Sequence, residues 1–209
     1  MYALNPQAAR QAEQRSERIT EIGKYVGQFT RAEDIESSKG TRGIDFAFVT
    51  EDKQTANFTL WTFNAANKEL FGFKQLQALM TCLRVKNIAP SDAVVKKWDR
   101  DTQQVQEFDA QVFLDLMNKD VGILFETEDY QKNDGSIGTK VVPAAFFEAS
   151  SELMASEILD KKAAAHQLAK MIPGLRHRPL RNGSAQPAPA RTSAPAGGGF
   201  DDMDDDIPF

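Results

Sequence analysis

The sequence predicts a mainly β fold: a small closed β-barrel with two or three accessory helices and a disordered C-terminal tail. Three observations carry this expectation. Short stretches alternate in character at the period of a strand, as Ile44, Phe46 and Phe48 do against Asp45, Ala47 and Val49. Turn-forming residues recur between such stretches, as in Asn133-Asp134-Gly135. From residue 174 onward no periodicity survives, and Arg, Pro, Ala, Ser and Gly prevail, which is the composition of a linker.

Taken in order, residues 1–22 read as an arm or lightly docked helix. Asn5 is the candidate cap, Pro6 the first helical residue, and a polar, charge-alternating stretch runs from Ala8 to Ile22. Residues 23–38 read as the first strand, with Gly23 and Gly27 as candidate bulge sites. Residues 37–43 form a turn that lacks the glycine–lysine spacing of a phosphate-binding loop. Residues 44–50 are the second strand and residues 57–64 the third. In the third, Phe58, Leu60 and Thr62 share one face and Thr59, Trp61 and Phe63 the other. Both faces are largely apolar, so one needs a covering helix or a ligand.

A helix is expected over residues 67–83, with Asn67 as cap and Leu76, Leu79, Met80 and Leu83 as its apolar stripe. Phe71 and Phe73 are expected to pack beside it. Residues 94–98 and 105–108 flank a polar turn and read as a hairpin. A short helix is expected over residues 109–118. Residues 121–130 and 139–147 are strands joined at Asn133-Asp134-Gly135. A second long helix is expected over residues 151–172, with Ala165, Leu168, Ala169 and Ile172 on one stripe, ended by Pro173-Gly174. The domain is therefore placed at 23–172, a disordered linker at 173–199 and an acidic tip at 200–209.

Composition narrows the function. The chain has 209 residues and a net charge of −5. Five aspartates fall in the tip, while the linker carries Arg176, Arg178, Arg181 and Arg191 and no acid. A nucleic-acid surface must then be a local stripe and not a global field. The single cysteine, Cys82, excludes a disulfide framework and suits a reducing compartment. No apolar run approaches a membrane span and the N-terminus is polar, so a soluble, cytoplasmic protein without membrane contact is expected.

The tip ends Asp204, Asp205, Asp206, Ile207, Pro208 and Phe209. It is too charged and too short in apolar residues to fold by itself. It resembles the acidic tip of bacterial single-stranded-DNA-binding proteins. That likeness implies recruitment of replication, recombination and repair proteins through those six residues.

The body carries a second resemblance. Its stretches are Gly23-Lys24-Tyr25, then Lys39-Gly40-Thr41-Arg42-Gly43-Ile44 with Phe46 and Phe48. Leu60-Trp61-Thr62, Glu69-Leu70-Phe71-Gly72 and Gln75-Leu76-Gln77-Ala78-Leu79-Met80 follow. Asn133-Asp134-Gly135 and Phe146-Phe147 complete the set. Residues 23–159, about two-thirds of the chain, are similar to a bacteriophage family of single-stranded-DNA-binding proteins. The resemblance implies an oligonucleotide-binding (OB) fold.

Binding a single strand needs aromatic platforms for bases and cations for phosphates. The candidate residues are Lys39, Arg42, Phe46, Phe48, Trp61, Phe63, Lys96, Lys97, Trp98 and Tyr130. Core packing competes for Phe46 and Phe48, and the sequence leaves open which face of the third strand points outward. Trp98, in a lysine-bearing polar hairpin, is the foremost stacking candidate. No catalytic constellation, metal-ligand spacing or cofactor motif is legible. Glu126 and Glu128 read as a solvated strand face. The expected function is coating and protection of single-stranded DNA in phage replication, recombination and repair, with weak duplex binding possible. The alternative is a protein-interaction adaptor or a duplex-binding OB-fold protein.

Overall fold

The computed structural model describes residues 18–99, 102–132 and 134–180. The fold is mainly β. Its strands are β1 (Gly23–Glu36), β2 (Arg42–Thr50), β3 (Thr55–Phe63), β4 (Ser91–Asp99), β5 (Gln104–Val112), β6 (Asp120–Gln131), β7 (Ile137–Glu148) and β8 (His177–Arg178). The helices are α1 (Phe71–Cys82), α2 (Ala155–Leu159) and α3 (Gln167–Met171).

The long strand β1 organises the sheet. It pairs antiparallel with β2 along residues 27–36 and with β6 along residues 23–28. β3 extends the sheet beyond β2, and β7 extends it beyond β6. Among the described residues, hairpin β4–β5 shares a single ladder pair with β1, where Glu33 meets Val112. It is thus an arm that leaves the sheet at Val112 and is held against β1 by the Lys97–Glu33 contact. The expected closure of the barrel has no ladder: among the described residues no pairing joins β3 to β7. Helix α1 spans that opening. Gly72 sits directly on the Trp61 backbone of β3, where any Cβ would clash. On the other side the Gln75 side-chain amide donates to the Pro143 carbonyl of β7 at 2.7 Å.

Alternation decides what is inside. Ile44, Phe46 and Phe48 of β2 are buried, as are Phe58, Leu60 and Thr62 of β3. Phe29, Phe46, Phe48, Phe58, Phe125 and Phe146 form one ring cluster, with centroid separations of 4.6 Å for Phe29–Phe46 and 5.3 Å for Phe46–Phe58. Leu76, Leu79, Met80 and Leu83 complete it from α1, the stripe that helical spacing predicts. Leu124 and Phe147 lie in a smaller second cluster and pack on Leu168 of α3.

Several expectations are corrected. The expected first helix lies outside the described residues up to 17. At 18–22 it is not helical: Arg18 forms a parallel bridge to Thr55, and Ile19 is buried. The irregularity in β1 falls between Phe29 and Arg31, not at Gly23 or Gly27. Asn67 does not cap α1; the helix begins after Leu70 without a side-chain cap. Phe71 is exposed, whereas Phe73 packs on Phe63. Residues 109–112 continue β5, because the ladder to β4 runs on to Ser91–Val112, and only Leu114–Leu116 make a 3-10 turn. A ladder of nine residue pairs outweighs the weak helical preference of Asp-Ala-Gln.

The expected long helix at 151–172 is two short ones. The chain turns at Lys161, whose φ of 54° is left-handed. The Glu157 carboxylate accepts the backbone N–H groups of Met154, His166 and Gln167, fixing the start of α2 and the start of α3 together. These bonds, that from His166 foremost, hold its carboxyl below the ordinary carboxylate range. The linker starts later than residue 173, since β8 pairs in parallel with Thr127 and Glu128. Glu126 is not solvated: it is buried and paired with Arg178, the Nε–Oε2 distance being 2.7 Å.

Cys82 is buried, and burial pushes its thiol up to about 12. Alkylation of the native protein by iodoacetamide is therefore expected to be negligible and to become complete in denaturant. Rapid native labelling, followed by mass spectrometry, would contradict this placement. No helix among the described residues is long and apolar enough to cross a membrane.

Candidate nucleic-acid interface

The outer face of β3 resolves the question its sequence left open. Trp61 and Phe63 point away from the core, opposite Phe58, Leu60 and Thr62. The register shifts between Arg42 and Gly43, so that Arg42 pairs with Phe63 and Gly43 with Trp61. A bulge of this kind re-aims side chains. Here it lays the Arg42 guanidinium over the Phe63 ring, 5.5 Å from its centroid. The same guanidinium donates to the Asn67 side-chain carbonyl. Phe73 of α1 supports Phe63 from beside it at 5.0 Å.

Trp61 rests on a glycine. A Cβ at Gly43 would lie 2.9 Å from the indole and 2.6 Å from the Leu60 carbonyl oxygen. One face of the indole is thus seated on backbone, and the ring keeps partial exposure. Lys39 stands exposed in the adjoining turn at 37–41. That turn approaches the loop before α1, where a Cβ on Gly40 would touch Ala65 at 3.2 Å. Lys39, Arg42, Trp61 and Phe63 are therefore brought to one corner. Glu36 and Glu69 are exposed there too, so the corner is mixed in charge.

Tyr130 repeats the arrangement elsewhere. It pairs with Gly138, and the Lys140 ammonium lies over its ring at 5.7 Å. β6 passes the Gly23 end of β1, whereas Arg42 lies at the Glu36 end. The ladder does not bring Tyr130 to the corner.

Phe46 and Phe48 are corrected. Both are completely enclosed in the ring cluster and present no face to a base. Lys97 is engaged: its ammonium contacts Glu33 at 2.5 Å. Behind it Glu33 faces Arg31 at 3.5 Å, and Arg31 pairs with Asp45. Lys96 points from the opposite face of the arm and lies 3.6 Å from Glu107. Trp98 is 63% exposed beside it. Asp204, Asp205, Asp206, Ile207, Pro208 and Phe209 lie outside the described residues.

Sequence reasoning missed Asn67, Phe73 and Gly43. The first two act on Arg42 and Phe63 through contacts between elements. The third is visible only once the register is known. Among the described residues no group of three or more His, Cys, Asp or Glu side chains is placed to hold a metal ion. Neither a known protein-family model nor a curated protein matches this chain.

Proposed function

We propose that this chain binds single-stranded DNA at the Trp61 corner, on a sheet derived from the oligonucleotide-binding barrel with α1 across its open seam. The observation that carries this reading is the pair of outward rings, Trp61 seated on Gly43 and Phe63 under Arg42. Bases stack on such rings whatever their identity, so sequence preference is low. Arg42 and Lys39 supply phosphate contacts. Asn67 and Phe63 orient the guanidinium before any strand arrives, which lowers the entropy lost on binding. The role proposed with it, from the resemblance of body and tip, is coating of single strands in replication, recombination and repair. The acidic residues 204–206 with Ile207, Pro208 and Phe209 would recruit partner enzymes to the coated strand.

The protein has two tryptophans, so Trp98→Phe leaves Trp61 as the only indole. Titrating that variant with oligo-dT is expected to quench its fluorescence, and duplex of equal length to quench it far less. Two phosphate contacts give a slope of log K against log salt of about −1.4. No quenching by the single strand would overturn the assignment and leave the protein-adaptor reading.

A further inference from the structure

The outward face of the β4–β5 arm is not used by the Trp61 corner. It carries Val94, Trp98 and Val105, each about three-fifths exposed, with Lys96 and Glu107 between them. The register is fixed: Val94 opposite Asp109, Lys96 opposite Glu107, Trp98 opposite Val105. The arm is also fixed to the body, through the Glu33–Val112 pairing and the Lys97–Glu33 contact on its other face.

Charge argues against a phosphate backbone on this surface. Residues 91–112 hold five acids against three bases. On the outward face Lys96 is answered by Glu107, and Asp92 and Asp109 add a second and a third acid. A base stacked on Trp98 would bring its phosphates toward carboxylates.

We propose that this face packs against the same face of a second copy of the chain. The two-fold axis runs along the strands, midway between β4 and β5. That rotation lays each β4 over the other copy's β5 without shifting the register. Lys96 then meets the partner's Glu107, and Glu107 the partner's Lys96. Trp98 covers the partner's Val105, and Val105 the partner's Trp98. Val94 meets the partner's Asp109 at the rim, where the carboxylate stays hydrated. The other face-to-face two-fold, across the strands, sets Lys96 on Lys96 and Glu107 on Glu107 when its axis passes through that pair, and like charges disfavour that register. The Lys96–Glu107 and Trp98–Val105 pairs are therefore self-complementary in charge and in apolar contact, as the centre of an isologous interface must be. The patch is small, so the pair exchanges with monomer.

The test uses the full chain without DNA, so it succeeds or fails independently of the single-strand reading. Sedimentation equilibrium over a concentration series is expected to show a monomer–dimer exchange. Lys96→Glu alone and Glu107→Lys alone should each be monomeric, because each sets like charges against like. Lys96 and Glu107 are 72% and 64% exposed, so both variants should keep the native melt. Mixing the two variants should restore dimers, since the acids of one now face the bases of the other. Rescue by mixing cannot arise from the contact within one arm. A wild-type protein that stays monomeric, single variants that associate as the wild type does, or a mixture that stays monomeric would each overturn the proposal.

Discussion

Phe46→Ala is expected to destabilise the fold by about 3–5 kcal/mol. Phe46 is fully enclosed, against Phe29 on one side and Phe58 on the other. Truncation removes the burial of a whole ring and opens a cavity that the cross-strand neighbours cannot fill, since their backbones are held by two ladders. Urea melts followed by circular dichroism measure the loss. The molecules that remain folded should bind oligo-dT as the wild type does. A small change in stability with a large change in affinity would reverse the assignment and put Phe46 at the ligand.

Trp61→Ala is expected to behave in the opposite way. Loss of one stacking platform costs about 1–3 kcal/mol of single-strand affinity, roughly 5- to 150-fold in Kd. Its slope against salt should be unchanged, because no charge is removed. Arg42→Ala should instead flatten the slope by about 0.7. Fluorescence anisotropy of a labelled oligonucleotide at several salt concentrations separates the two effects. Equal slopes for both variants would mean that Arg42 does not touch a phosphate.

Period-2 alternation in β2 and β3 was legible, because a side chain on a strand has only two directions and the apolar set selects one. The α1 stripe was legible for the same reason at the helical period. Turn chemistry also read correctly at 134–135, where Gly135 takes a φ of 82° that side chains disfavour. The readings that failed share a cause. Residues 109–112 have no strong local preference, so the β4 partner decided them. Residues 151–172 have a helical period, yet Glu157 bonds the chain across a turn that the period does not contain. Glu126 looked like a surface acid until Arg178, far along the chain, folded back onto it.

The candidate site divides along the same line. The sequence by itself determined that aromatic residues alternate along strands, that Lys39 and Arg42 flank a glycine turn, and that five aspartates cluster within residues 201–206. Only the tertiary structure decided that Phe46 and Phe48 are core and that Trp61 and Phe63 face outward. It also decided that Arg42 lies over Phe63, while Lys97 is held by Glu33. Alternation states that two faces exist, but the choice between two apolar faces depends on which one the other strands and α1 cover. That choice is made by the register of β2 on β3 and by α1 across the open seam, and both are long-range pairings that no local window of sequence contains.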